Sequence, residues 1–172
     1  MALMASSRHE VGTKSYPLLV YVLTPLLALG LQSLLSLHFT SFALIDLPLL
    51  VVIYYAISKR EPISATLVGA MMGIAQDALT HNPLGILGIS KEVVGYTAAS
   101  LGVRVDTENH GTRLLLAFAF TLEQTGVLYL LERHMLGQPF AWHWMHELVK
   151  AVLNAGLGVI LFALLDLTRR RE

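Results

Sequence analysis

The 172-residue chain is expected to fold as an all-α, polytopic membrane helix bundle of six transmembrane helices, a single integral membrane domain over residues 1–172. Three observations predict it. Hydrophobic residues make up 55% of the chain and charged residues 14%, where soluble domains carry about 25% charge. The apolar residues gather in six runs, several near the roughly 20 residues that cross a bilayer. The cations are segregated: of twelve Lys and Arg, nine (Arg8, Lys14, Lys59, Arg60, Arg104, Arg113, Arg169, Arg170, Arg171) fall in segments assigned to one side. Only Arg133 falls on the other side, while Lys91 and Lys150 lie inside apolar runs. This is the positive-inside pattern of a multi-pass protein of the bacterial inner membrane, with both termini cytoplasmic.

The bulk numbers exclude little else. A net charge of zero is uninformative when the charges are sorted by side rather than mixed. The absence of Cys excludes disulfides and thiolate metal sites. A soluble helical bundle is the alternative class, and the run lengths argue against it.

Residues 1–14 are polar and are expected on the cytoplasmic surface. The first run, 17–37, is too long for the apolar core of a signal peptide and carries Pro25. Proline is tolerated in such a helix because neighbouring helices can satisfy the freed carbonyl. After an outer turn, His38 to Ser41, the second run, 42–57, is short, with Asp46 and Pro48 near its outer end. Ser58 to Pro62 forms a cytoplasmic turn. The third run, 63–80, is the least apolar, and a five-span alternative would make it re-entrant. His81-Asn82-Pro83 turns the chain on the outer side, and the fourth run, 84–101, proceeds despite Lys91 and Glu92. The loop 102–112 is polar and bounded by glycines. The fifth and sixth runs cover 113–131 and 146–167. Between them Trp142 and Trp144, the two tryptophans, suit the headgroup level, either in an anchoring loop or in a short interfacial piece. The Arg169–Arg171 tail is a topogenic stop, or a contact for anionic lipid.

Ionisable side chains inside spans are costly, roughly 2.5–3.5 kcal/mol each at mid-helix, so they face the bundle interior. Here they are Asp46, Asp77, Lys91, Glu92, Glu123 and Lys150. At about 1.5 Å rise per residue all six fall in the outer half of the bilayer. A polar cluster is therefore expected there. It is either a set of ion pairs such as Asp77–Lys91 and Glu123–Lys150, or a site for a substrate or partner.

Small residues mark expected helix contacts. Ala65, Gly69, Gly73 and Asp77 recur every four residues, and Gly69 to Gly73 is a GxxxG segment. Gly85, Gly88, Glu92, Gly95 and Ala99 line the next span, and Asn154 with Gly158 the sixth. Such stripes allow close backbone approach where no hydrophobic force drives association. The expected use is packing of the third span on the fourth, with docking of a foreign helix as the alternative.

Enzyme motifs are absent: there is no phosphate-binding loop, dinucleotide fingerprint or nucleophile elbow. His143 and His146 could share a helix face, but no zinc signature surrounds them. No cofactor, metal or nucleic-acid partner is expected. A membrane enzyme using Asp46 or Glu123 is a remote reading.

The stretch GAMMGIAQDALTHNPLGILGISKEVVGYTAASLG, Gly69 to Gly102, resembles the rod shape-determining protein MreD family. The likeness rests on a glycine-bearing helix ending in Asp77, a short outer turn with Leu84-Gly85, and a helix with Gly95-Tyr96. The Lys91-Glu92 charge lies outside what the resemblance carries. The resemblance implies a non-enzymatic scaffold of the cell-elongation machinery. Its implied partners are an MreC-like membrane protein and, more widely, MreB, RodA and its penicillin-binding transpeptidase. It also implies a fold similar to the substrate-binding subunits of energy-coupling-factor transporters, with a pocket in the outer half. The rival is such a vitamin-binding transporter subunit. Against it, the first span has Ala28 and Gly30 but no clear pair of alanines four apart.

Overall fold

The computed structural model describes residues 18–38, 44–80, 82–135, 137 and 143–168. Among these residues the chain forms six helices and no strand: α1 (Leu18–His38), α2 (Leu47–Lys59), α3 (Pro62–Thr80), α4 (Ile86–Gly102), α5 (His110–Met135) and α6 (Trp144–Leu167). The expectations for Arg8, Lys14, Trp142 and the Arg169–Arg171 tail lie outside the described residues.

The helices follow the six apolar runs, with one instructive difference. The second run was expected to be helical from Phe42, but α2 starts at Leu47. Asp46 is its N-cap, accepting the Leu49 N–H on Oδ1 at 3.0 Å. Pro48 sits in the first turn, where a missing N–H removes no helical bond. At the other end Arg60 adopts a left-handed conformation (φ 58°) and donates its N–H to the Ala56 carbonyl, which closes α2. Pro62 then opens α3 after a two-residue connection, its fixed φ suited to a helix start.

At 13 residues α2 is about 20 Å long, well short of the roughly 30 Å hydrocarbon thickness of a bilayer. It is also the core. Every residue from Pro48 to Ile57 is buried, and α2 touches each of the other five helices. A helix apolar on all faces requires such a surround. Aromatic rings fix its lower half: Tyr54 lies 5.4 Å from Phe162, and Tyr55 meets Tyr21 edge-on at 4.7 Å.

α3 and α4 make the closest pair. A Cβ on Gly73 would lie 2.2 Å from the Leu87 carbonyl oxygen, and one on Gly69 2.2 Å from that of Lys91. From the facing side, a Cβ on Gly95 would lie 2.4 Å from the Ala65 oxygen, and one on Gly88 2.9 Å from the Ile74 side chain. The two backbones are thus in direct contact, a separation only glycine permits. Gly158 of α6 fits against Ala117 of α5 and Leu50 of α2. By contrast α1 packs only on α2 and α3 among the described residues and leaves Leu19, Leu23, Leu27 and Leu31 exposed.

Three helices, α3, α5 and α6, are long and apolar enough to cross a membrane. The third run, ranked lowest by composition, is therefore among those that qualify, as one uninterrupted 19-residue helix. The apolar stretch Leu19–Leu35 of α1 and all of α2 are shorter, and α4 has 17 residues. Large exposed side chains such as Val152, Ile160, Leu164 and Leu167 on α6 form the kind of apolar surface that lipid covers.

Candidate functional site

The irregular segment Leu44 to Asp46 enters the bundle just before α2, and its backbone polar groups, as they become buried, need partners. Side chains from two helices do this. Gln32 of α1 donates to the Ile45 carbonyl at 2.8 Å and accepts the Leu47 N–H at 3.1 Å. Asn154 of α6 accepts the Asp46 N–H at 2.9 Å and donates to the carbonyls of Leu44 and Lys150, both at 2.8 Å.

The Asp46 carboxylate is equally committed. While Oδ1 caps α2, Oδ2 receives Lys91 Nζ of α4 at 2.5 Å and Gln124 Nε2 of α5 at 2.8 Å. Lys91 also donates to Gln124 Oε1 at 3.2 Å, which closes a three-membered ring of side chains. Lys91 and Asn154 are wholly buried, and Gln124 and Asp46 nearly so. A buried ion pair persists only when its remaining donors and acceptors are met, and here the Leu49 N–H of α2 and Gln124 of α5 help meet them. The junction is built as a lock: both Asp46 oxygens are occupied.

The other expected members of the polar cluster lie elsewhere. Asp77 is buried, yet it pairs with backbone rather than with Lys91. It accepts the Gly85 N–H at 2.9 Å and the Leu87 N–H at 3.1 Å, so α3 caps the start of α4. The α4 N-cap, Gly85, has φ 100° and no side chain of its own, which makes the borrowed carboxylate necessary. Glu123 does not meet Lys150 either. It is half-buried and accepts the Thr97 hydroxyl at 2.9 Å.

Both expected ion pairs fail for one reason. Successive helix residues point about 100° apart, so depth alone does not choose a partner. Gln124, not Glu123, faces the junction; Lys91 does, and Glu92 lies partly exposed with no hydrogen bond or ion pair among the described residues. Lys150 lines a cavity between α5 and α6. Tyr96 is exposed.

A second polar network, which the sequence did not announce, joins the opposite end of the bundle. Arg113 donates through Nε to the Thr107 carbonyl at 2.7 Å and through a terminal nitrogen to Asp166 at 2.6 Å. The other Asp166 oxygen accepts the Tyr54 hydroxyl at 2.8 Å, and Arg60 donates to the Thr107 hydroxyl at 3.3 Å. The positive-inside pattern accounts for Arg113 only as a topogenic charge, and Asp166 stands in the sequence close to the basic tail. Gln124 and Gln32 carry a sequence signal of their own, since an amide inside an apolar run calls for a buried partner. Among the described residues, no group of three or more His, Cys, Asp or Glu is placed to hold a metal.

Comparison with protein-family models, with curated proteins and with solved structures finds no match to this chain.

Proposed function

We propose that this chain is a six-span, non-enzymatic scaffold of the bacterial inner membrane, of the MreD type. In this reading it docks the transmembrane helix of an MreC-like partner and so helps control cell shape by positioning peptidoglycan synthesis. The mechanism is helix association, with no turnover.

The observation that carries this reading is a bond between two of the positions on which the resemblance rests: the Gly85 N–H donates to Asp77 at 2.9 Å. It joins the two helices of the resembling stretch into one unit through a carboxylate that is wholly buried. The glycine seam consumes the facing sides of α3 and α4, which leaves Met71 and Ile74 on one helix and Ile89 and Tyr96 on the other exposed. Such a rigid, two-helix face suits helix docking better than chemistry. The orientation is supported by Arg60 and Arg113, which converge on Thr107 and so share one end of the bundle. That end is read as cytoplasmic.

The deciding experiment is purification of a tagged copy from its native membrane with identification of its companions. An MreC-like single-span protein is expected among them, and Tyr96→Ala should weaken its recovery. Recovery of no elongation protein above background would sink the proposal. Orientation is tested separately: the chain has no Cys, so Arg104→Cys gives a single labelling site, expected to be shielded from impermeant reagents in intact cells.

A further inference from the structure

The cavity between α5 and α6 has a volume of about 540 Å³ and lies at the start of α6. Its polar lining is Thr125 and Glu132 from α5, His143 just before α6, and His146, Glu147 and Lys150 from α6. His143 and His146 are exposed, so the cavity reaches the surface. Glu147 is only 7% exposed, and its Oε2 is buried with no hydrogen-bond partner among the described residues. A first-turn carboxylate is favoured by the positive end of its helix, but that field provides no donor for Oε2. A buried carboxylate oxygen without a donor is costly. Glu132 and Lys150 likewise have no ion-pair partner among the described residues.

The geometry points to a binding site for the headgroup of a zwitterionic phospholipid bearing a primary ammonium, of the phosphatidylethanolamine kind. The ammonium donates to Glu147, with Glu132 as the second acid. The adjoining phosphate lies against Lys150 and the two imidazoles. The lining thus presents two acids beside three nitrogen bases, which matches a ligand carrying both charges side by side. Depth agrees as well. α6 has 24 residues and is about 36 Å long, some 6 Å beyond a hydrocarbon core of about 30 Å. Trp144, the first residue of α6, is 70% exposed and marks headgroup level, so Glu147 sits one turn inside it. Leu128 in the cavity wall gives the acyl chains an apolar surface. The inference needs only the membrane placement of α5 and α6, and stands apart from the scaffold proposal.

The test is native mass spectrometry of the full chain released from detergent, offered phosphatidylethanolamine and phosphatidylcholine with the same acyl chains. The choline headgroup keeps the phosphate and the positive charge but has no N–H, so the ratio of retained lipids isolates the donor. The amine lipid is expected to be preferred, and Glu147→Gln should lower that preference about tenfold, the worth of one hydrogen bond to a charged group. Glu132→Gln provides a second variant should the first fail to fold. Equal retention of both lipids, or a preference unchanged in both variants, overturns the assignment. Displacement of the lipid by an equal concentration of free phosphoethanolamine would identify a soluble ligand instead, and overturns the lipid assignment too.

Discussion

Lys91 Nζ lies 2.5 Å from Asp46 Oδ2, joining residues 45 apart in sequence at the point where five helical segments meet. The pair is internal to the bundle, and each partner has a further tie: Asp46 to the first turn of α2, Lys91 to Gln124. Removing either charge strands the other without solvent.

Lys91→Met should therefore destabilise the protein by about 3–5 kcal/mol, the range for breaking a buried ion pair from one side. The double variant Asp46→Asn with Lys91→Met should recover most of that loss, because asparagine still caps α2 and no charge remains buried. Denaturant unfolding in a fixed detergent measures both. A double variant no more stable than Lys91→Met alone would contradict the role given to this pair.

Gly73→Ala should destabilise by about 1–3 kcal/mol, since the new methyl meets the Leu87 backbone rather than a side chain that can rotate away. Gly156→Ala is the control. Nothing lies within 4 Å of the methyl it adds, and alanine favours the helix by up to about 1 kcal/mol. Thermal melting that ranked the two variants equally would contradict the backbone contact between α3 and α4.

Asp77→Ala leaves the partly buried Gly85 and Leu87 amides without this acceptor and should lose about 1–2 kcal/mol. Asp77→Asn keeps one acceptor oxygen and should lose less. Hydrogen exchange gives a local reading: the amides of the first turn of α4 should lose protection in the alanine variant ahead of those in α6.

Tyr54→Phe removes the hydroxyl bonded to Asp166 and should lower stability by about 0.5–1.5 kcal/mol. Arg113→Leu removes the guanidinium from both Asp166 and the Thr107 carbonyl and should have the larger effect. It should still fall short of Lys91→Met, because the Asp166 side chain is 29% exposed and partly solvated. Equal losses in the Tyr54 and Arg113 variants would place the strength of this network elsewhere.

The pattern of apolar runs carried the helix count and, within a few residues, most helix ends. The start of α2 was readable in principle, since Asp46-Leu47-Pro48 joins an N-cap residue to a first-turn proline. The small-residue stripe pointed to the right neighbours: Gly69, Gly73, Gly88 and Gly95 all lie in the α3–α4 seam. The partners of the ionisable groups were not readable. Residue counts give depth along a helix, whereas contact also depends on the direction a side chain faces about its axis, and that is fixed only when the helices assemble. Formal charge gives no pointer to the uncharged Gln124 and Gln32. The spacing of Asn154 with Gly158 marks a helix contact but not the two loop groups that Asn154 satisfies.

The short inner helix sets a timetable for biogenesis. The N–H of Asp46 finds its acceptor 108 positions further along the chain, and the Tyr54 hydroxyl finds its own 112 positions further. Neither exists when the ribosome has just released α2. The second segment is left with these two bonds unmade until the final helix has been synthesised. A chain truncated before α6 would lose both, and with them the closure of its centre.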